Sequence, residues 1–465
     1  MWITSFMSVY KEEWNMKFRR LFSESFICSK PEFISGISLL MILVFFTTRP
    51  DHIFAINRDG IEVLTLSDML VLALKHNPEI VKGAQTININ RAEEIIGSQY
   101  PYNPELEFEV SSDAVLANEG EGSFLIGISQ QIETGSKRRL RKRIAEYGTK
   151  GAILDLEDKK RVIRFSVKSL FGKLILLKEK SKFIDEIIDI DKRLVEVTKA
   201  KIEVGDTPEM NLGIALSERD RAENEKLLIL SEISAIKREL NLIIGREIES
   251  DFIAEGDLSI KKTDYIDIQR LIDNVYKNRA DIKSLEIKKK KKEKVLLLIK
   301  KMNIPDIRLS LFYEEDKSII EGLNRDEITD KGKILGSSFS IDLPIVNRRK
   351  GEIIKIEEEK RLIEIELLNL KRKLKQRIIA LYEGLKPIEN ALSRLKDKIL
   401  SQERENIELI QSAYDLGQIE IGILLSAQER FINTNKDYLD LQFKQYITRS
   451  RLEEEIGIDL KGEDQ

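Results

Sequence analysis

The chain has 465 residues, 42% hydrophobic and 34% charged, with 77 Lys and Arg against 80 Asp and Glu for a net charge of −3. Such a composition excludes wholesale disorder, and the charge balance gives the chain as a whole no electrostatic case for nucleic acid or an anionic surface. One cysteine, Cys28, and two histidines, His52 and His76, leave no internal disulfide, no His/Cys zinc site and no Ser-His-Asp or Cys-His arrangement, and no phosphate-cradling glycine motif replaces them. The expectation is a protein that is not an enzyme and carries no cofactor or metal.

Phe33 to Thr48 are uncharged and follow Lys17, Arg19, Arg20 and Lys30. This run is short for a membrane helix, which takes about 20 residues, but it suits the apolar core of a secretory leader over residues 1–55. An uncleaved anchor helix is the other reading. Cys28 precedes the apolar core and so is not placed for lipid attachment.

Residues 62–255 read as helix, strand, strand, long helix, helix. The spacing of Met69, Leu70, Ala73 and Leu74 predicts a helix over Ser67 to Gln99, with Ser67 as its N-cap. From Pro104, Leu106, Phe108 and Val110 alternate with Glu105, Glu107 and Glu109, the period of two that predicts a strand. Phe124, Ile126 and Ile128 repeat it. The basic cluster Lys137, Arg138, Arg139, Arg141, Lys142, Arg143 then opens a stretch without proline to Glu203. At 1.5 Å per residue, a helix of roughly 65 residues would be about 100 Å long. Val204-Gly205-Asp206 ends it at a glycine, the usual left-handed stop.

Residues 263–457 read the same way, ahead of a polar tail at 458–465. "KHNPEI" at Lys75 matches "KNRADI" at Lys277, a separation of 202 (277 − 75), and Gly205 matches Gly417 at 212 (417 − 205). Ile307, Leu309 and Leu311 alternate with Arg308 and Ser310, and Phe339, Ile341 and Leu343 with Ser338, Ser340 and Asp342. A longer hairpin loop is expected to absorb the extra residues of this half. Arg348, Arg349 and Lys350 echo the basic cluster, and a second rod runs to Leu416-Gly417-Gln418, with a bend expected at Gly384 or Pro387. The run Lys288 to Lys292 has Glu286 and Glu293 beside it and no interleaved aromatics, which predicts a solvated helix face, not a nucleic-acid site.

Four strands with one apolar and one polar face fit a half-buried soluble sheet or a membrane barrel wall. Rods of this length cannot fold back over so small a sheet, which favours the barrel. Four strands cannot close one, since membrane barrels begin at about eight and an open edge in lipid leaves backbone groups unpaired. Several chains must then share a barrel, with Glu105, Glu107, Glu109, Arg308 and Asp342 facing a watery lumen. An exported helical scaffold that forms no pore is the competing reading.

The duplicated order, "LTLSDMLVLALKHNPEI", the "VG" and "LG" turns and the Leu-to-Gly endings at Gly245 and Gly457 resemble the TolC-like outer-membrane efflux proteins over about residues 62–457. The resemblance implies an α+β membrane protein that is a homotrimer: a transmembrane β-barrel built from four strands per chain, continued by a long α-helical coiled-coil barrel across the periplasm. It implies a passive exit duct in outer-membrane lipid, served by a periplasmic adaptor protein and an inner-membrane efflux pump of RND or ABC type. It places adaptor docking at Val204, Gly205, Asp206, Leu416, Gly417 and Gln418, and a gate around Tyr414, Asp415, Glu420, Ile423 and Ser426. Ile423 and Ser426 stand where the best-known members carry aspartates. The cluster Lys137, Arg138, Arg139 with Arg348 and Arg349 falls where wall strands become tunnel helices, where it is either a solvated helix start, the favoured reading, or a surface facing head groups or neighbouring chains. "SQQIETGSKRRLRK" is also similar to the heavy-metal cation efflux branch of the family.

Overall fold

Thr65 opens the helical part of the chain with a capping box. Its Oγ1 accepts from Asp68 N at 3.3 Å while Asp68 Oδ2 accepts from Thr65 N at 3.0 Å, so the cap lies two residues before the expected Ser67. The computed structural model describes residues 62–113, 121–259, 267–321 and 327–457; the leader over 1–55 and the tail over 458–465 fall outside them. β1 (Glu62–Thr65) leads into α1 (Leu66–His76) and α2 (Pro78–Ser98), two helices where the apolar spacing alone predicted one. Pro78 lacks an N–H and pushes Asn77 to extended backbone (ψ 128), and Asn77 then caps the second helix through Glu79 N at 2.9 Å.

The first repeat continues through β2 (Glu105–Ser112), β3 (Gly122–Ile132), α3 (Lys137–Glu203) and α4 (Met210–Ile244) to β4 (Phe252–Glu255). α3 has 67 residues, close to the length expected. β4 pairs in parallel with β1, a four-residue ladder from Glu62↔Phe252 to Thr65↔Glu255 that is too short to show a period in the sequence. It returns the end of α4 to the start of the repeat. Gly245 stops α4 at φ 73, and a Cβ there would meet the His76 carbonyl at 2.5 Å.

The second repeat comprises α5 (Ile268–Asn278), α6 (Ala280–Lys301), β5 (Ile307–Glu321), β6 (Glu327–Ile341), α7 (Lys350–Arg394), a π-helical turn (Leu395–Leu400), α8 (Ser401–Asp415) and α9 (Ile421–Ile456). One expectation changes here. The extra residues lie in the strands, 15 residues each against 8 and 11 in β2 and β3, and not in a longer loop. The rod runs as α-helix through Gly384 and Pro387, and a departure from α geometry falls further on, at the π turn.

β2, β3, β5 and β6 form one antiparallel sheet in that order, so the two hairpins lie side by side and β2 and β6 are its edges. α3 packs against α2 and α6 nearest the sheet and against α4 and α9 further along; α7 packs against α6 and α9. The largest apolar core joins α3, α4, α8 and α9, with Ile184, Ile187, Leu194, Leu424 and Phe431 in it. The lysine run is not merely solvated. Lys289 and Lys292 reach Glu364 and Glu359 of α7 at 2.9 and 2.6 Å, and Lys288 reaches Asp155 of α3 at 3.2 Å, so α6 is clamped between its neighbours by charge. Among the described residues no helix is long and apolar enough to cross a membrane.

Candidate functional site

The sheet separates its side chains as a period of two requires. The register Glu105↔Ser129↔Ser310↔Ser338 puts Glu105, Glu107, Glu109 and Arg308 on one face, where Arg308 pairs with Glu105 at 2.7 Å. Leu106, Phe108, Val110, Ile126, Ile128, Leu309, Leu311 and Phe339 project from the other face and are exposed. Asp342 differs from expectation: it is exposed and lies one residue past the end of β6, outside the ladder. Phe312 breaks the alternation on the polar face, and its ring occupies the space a side chain at Gly336 would need. Two glycines beside an aromatic, Gly127 and Gly336 flanking Phe312, are the sequence signal for this.

At the passage from strand to helix, part of the basic cluster turns inward. Lys137 is 6% exposed and bonds Asp306 at 2.8 Å; Arg141 pairs with Glu133, and Arg138 donates to the Ser98 carbonyl. A helix N-terminus disfavours cations, and here Asp306 offsets that. Arg139 and Arg348 are exposed, and Arg349 pairs with Glu352 at 3.1 Å.

At the far end of the rods the two glycine turns are built alike. Gly205 N donates to Ile202 O and Asp206 N to Lys201 O, and Gly417 N donates to Tyr414 O and Gln418 N to Ala413 O, at 3.0, 2.8, 2.9 and 2.9 Å. Both are Schellman closures with the glycines at φ 75 and 74. Val204 and Leu416, the residues before them, are exposed apolar side chains.

Tyr414 does not line a surface. It is 2% exposed, shares a 2.9 Å hydrogen bond with the Thr198 hydroxyl, and has the Lys201 ammonium 4.4 Å from its ring centroid. Lys201 also donates to the Tyr414 carbonyl, and Arg193 pairs with Asp415 at 2.9 Å. Tyr414 and Asp415 therefore tie the end of the second rod to α3. Glu420, Ile423 and Ser426 are not part of that cluster; they sit on the exposed side of α9, while Ile421 and Leu424 turn into the core.

Sequence reasoning missed Asp191. It occupies a core position of α3 between Ile187 and Leu194, is 1% exposed, and has Gln428 of α9 as its hydrogen-bond partner at 2.5 Å. Burial pushes its carboxyl up to about 6, against the opposing effect of the Gln428 bond. A lone acid at helical spacing within an apolar stripe is the signal that could have found it. Among the described residues, no group of three or more His, Cys, Asp or Glu is placed to hold a metal ion.

The fold is that of known outer-membrane channels. The chain superposes on a structure of CusC, described for transmembrane channel formation, with a TM-score of 0.70 over 87% of this chain and 93% of that one, at 12% identity. It matches the CmeC outer membrane channel of Campylobacter jejuni with a TM-score of 0.68, 16% identity and coverage of 86% and 87%. The open state of the MtrE outer membrane channel of Neisseria gonorrhoeae gives 0.67 and 14%, with coverage of 86% and 90%. No family model and no curated protein matches the sequence.

Proposed function

We propose that this protein is a passive exit duct in the outer membrane, extending into the periplasm, as part of a tripartite efflux or secretion system. The observation that carries the reading is the sheet: one face exposed and apolar, the other polar, and both edge strands without a further strand partner among the described residues. In lipid such edges must be closed, and closure by identical copies makes a barrel. The flanking helices support it, because the outer members of the layer also expose apolar stripes: Ile89 and Ile96 on α2, and Ile354, Leu362 and Ile365 on α7. A homotrimer would have twelve strands, with Glu105, Glu107, Glu109 and Arg308 towards its lumen.

The same reading makes each chain a wall with no catalytic or selective chemistry of its own. A pump of RND or ABC type and a periplasmic adaptor would supply the energy and the choice of cargo. The cargo would be a metal cation if the chain belongs with the heavy-metal branch that its strand-to-helix stretch resembles, and a drug or a protein otherwise. Val204-Gly205-Asp206 and Leu416-Gly417-Gln418 are the proposed adaptor contacts, and the Thr198–Tyr414 and Arg193–Asp415 bonds hold the tip closed.

Fractionation tests location: the protein should stay with outer membranes when inner membranes are dissolved by mild detergent, and recovery as a soluble periplasmic protein would contradict the duct. For the tip, Gly205→Trp with Gly417→Trp should abolish export while the oligomer still forms. A side chain at Gly205 meets nothing within 4 Å and one at Gly417 meets only the ends of the Asp206 and Lys201 side chains, so the cost expected is backbone strain confined to these two left-handed turns, far from the sheet, and not a packing clash. Unchanged export would remove the docking assignment.

A further inference from the structure

The turn from strand to long helix occurs twice, and only one copy is complete. Ser136 (φ 60) precedes α3 and Arg349 (φ 55) precedes α7; among the described residues these are the non-glycine positions with positive φ. Each is followed by a lysine that starts its rod, Lys137 and Lys350, separated by 213 (350 − 137).

In the first turn the lysine has a partner. Lys137 Nζ lies 2.8 Å from Asp306 Oδ1, and Thr134 N donates to the same oxygen at 2.9 Å. Asp306 follows Pro305 and leads into β5, the strand that pairs along β3. The contact therefore joins the end of β3 to the start of its neighbour. The second turn has the corresponding parts but, among the described residues, no strand beyond β6. Leu343, Ile345 and Val346 are 68%, 66% and 98% exposed. Glu133 and Arg141, an ion pair in the first turn, are replaced by Val346 and Ile354, both exposed. An apolar pair in place of an ionic one suits a surface that is covered by something else.

What corresponds to Asp306 is Glu105, which follows Pro104 and leads into β2. Within one chain it lies at the opposite edge of the sheet from β6. Arg308 and Ser129 both bond its Oε2, leaving Oε1 for another donor. We propose that Lys350 pairs with Glu105 of a second copy of this chain, in a head-to-tail contact that repeats between copies the Lys137–Asp306 contact made within one. The inference rests on the duct reading and adds the register. The ladder Ile132↔Ile307, carried over by the repeat, sets Ile345 opposite Leu106 and Leu343 opposite Phe108 of the second copy. Such a contact is heterologous and closes only as a ring, and its ion pair sets register more than it adds affinity.

Cysteine pairs in a Cys28→Ser background test the register. With Leu343→Cys and Phe108→Cys on every chain, mild oxidation should give covalent species up to the trimer on a denaturing, non-reducing gel. Leu343→Cys with Val110→Cys should stay monomeric there, because a shift of two residues along a strand moves the Cα atoms about 8 Å apart, beyond disulfide reach. Cross-linking through Val110 instead, or through neither in a sample of trimeric native mass, overturns this pairing and leaves the duct standing. A monomeric native mass overturns both. Independently, Lys350→Met and Glu105→Gln should each lower the temperature at which the trimer dissociates, and the double variant should lower it no further than the worse single. Additive losses would refute the pair.

Discussion

The two ends of the helical layer are held in different ways. Near the tip, α3 meets α9 across an apolar core, with Phe183 and Phe431 edge to face at 5.6 Å and Ile184, Leu194 and Leu424 packed around them; Asp191 and Gln428 bond within it, and Lys180 pairs with Asp440 at 2.7 Å at its edge. Near the sheet, α6 and α7 meet through Lys289–Glu364, Lys292–Glu359 and Lys360–Glu293 at 2.9, 2.6 and 3.6 Å. Partner lysines hold Glu359 and Glu364 below the usual carboxylate range, and Glu364 raises Lys289. Apolar packing depends little on salt, whereas partly exposed charge pairs weaken as the screening length falls from about 10 Å at 0.1 M to about 3 Å at 1 M ionic strength. The difference teaches that the far ends of the rods are fastened mainly by an apolar core, while the sheet-proximal seam leans on exposed charge pairs and is the condition-dependent contact.

Three variants sharpen or break that contrast. Leu194→Ala removes a fully buried side chain from the tip core and should cost about 3 to 5 kcal/mol, read from thermal or denaturant unfolding. A loss no greater than that of a surface residue would end the claim that this half is the structural anchor.

Asp191→Asn comes next. With its carboxyl raised to about 6, the folded chain holds a proton that the unfolded chain, near the ordinary 3.8, gives up. Stability should therefore be highest below about pH 4, fall as pH rises to about 6, and stay level above it. The asparagine side chain cannot ionise, so the variant should gain about 3 kcal/mol at pH 7 and little at pH 4. A gain independent of pH would mean that Asp191 is neutral or solvated throughout.

The smallest effect is expected from Lys289→Gln with Lys292→Gln. Their ion-pair contribution is confined to low salt, so the unfolding curves of variant and parent should converge as sodium chloride is raised. Persistence of the difference at about 1 M, where the screening length is about 3 Å, would place those pairs in a drier setting than their exposure indicates.

Much of this architecture was legible in the residues. Leu106, Phe108 and Val110 against three glutamates declared a two-faced strand, and the absence of proline from Lys137 to Glu203 declared the rod. What the sequence hid depended on distance along the chain. The β1–β4 ladder joins segments 190 residues apart (252 − 62), each too short for a period. The split at Asn77 depended on proline's missing N–H, which apolar spacing ignores. Lys137 read as part of a surface cluster because its partner Asp306 lies in the other repeat. Tyr414 read as a gate residue by resemblance, but nothing local shows that its hydroxyl is buried against Thr198.

The central claim is that identical sheets close into a membrane pore continued by the rods. Single-channel conductance of the purified protein in a planar bilayer, with oligomer mass determined in the same detergent, tests it most directly. The account predicts discrete steps from a trimer, larger and more frequent when Tyr414→Phe and Arg193→Ala together release the tip. A monomeric mass with no conductance from that released variant would contradict it.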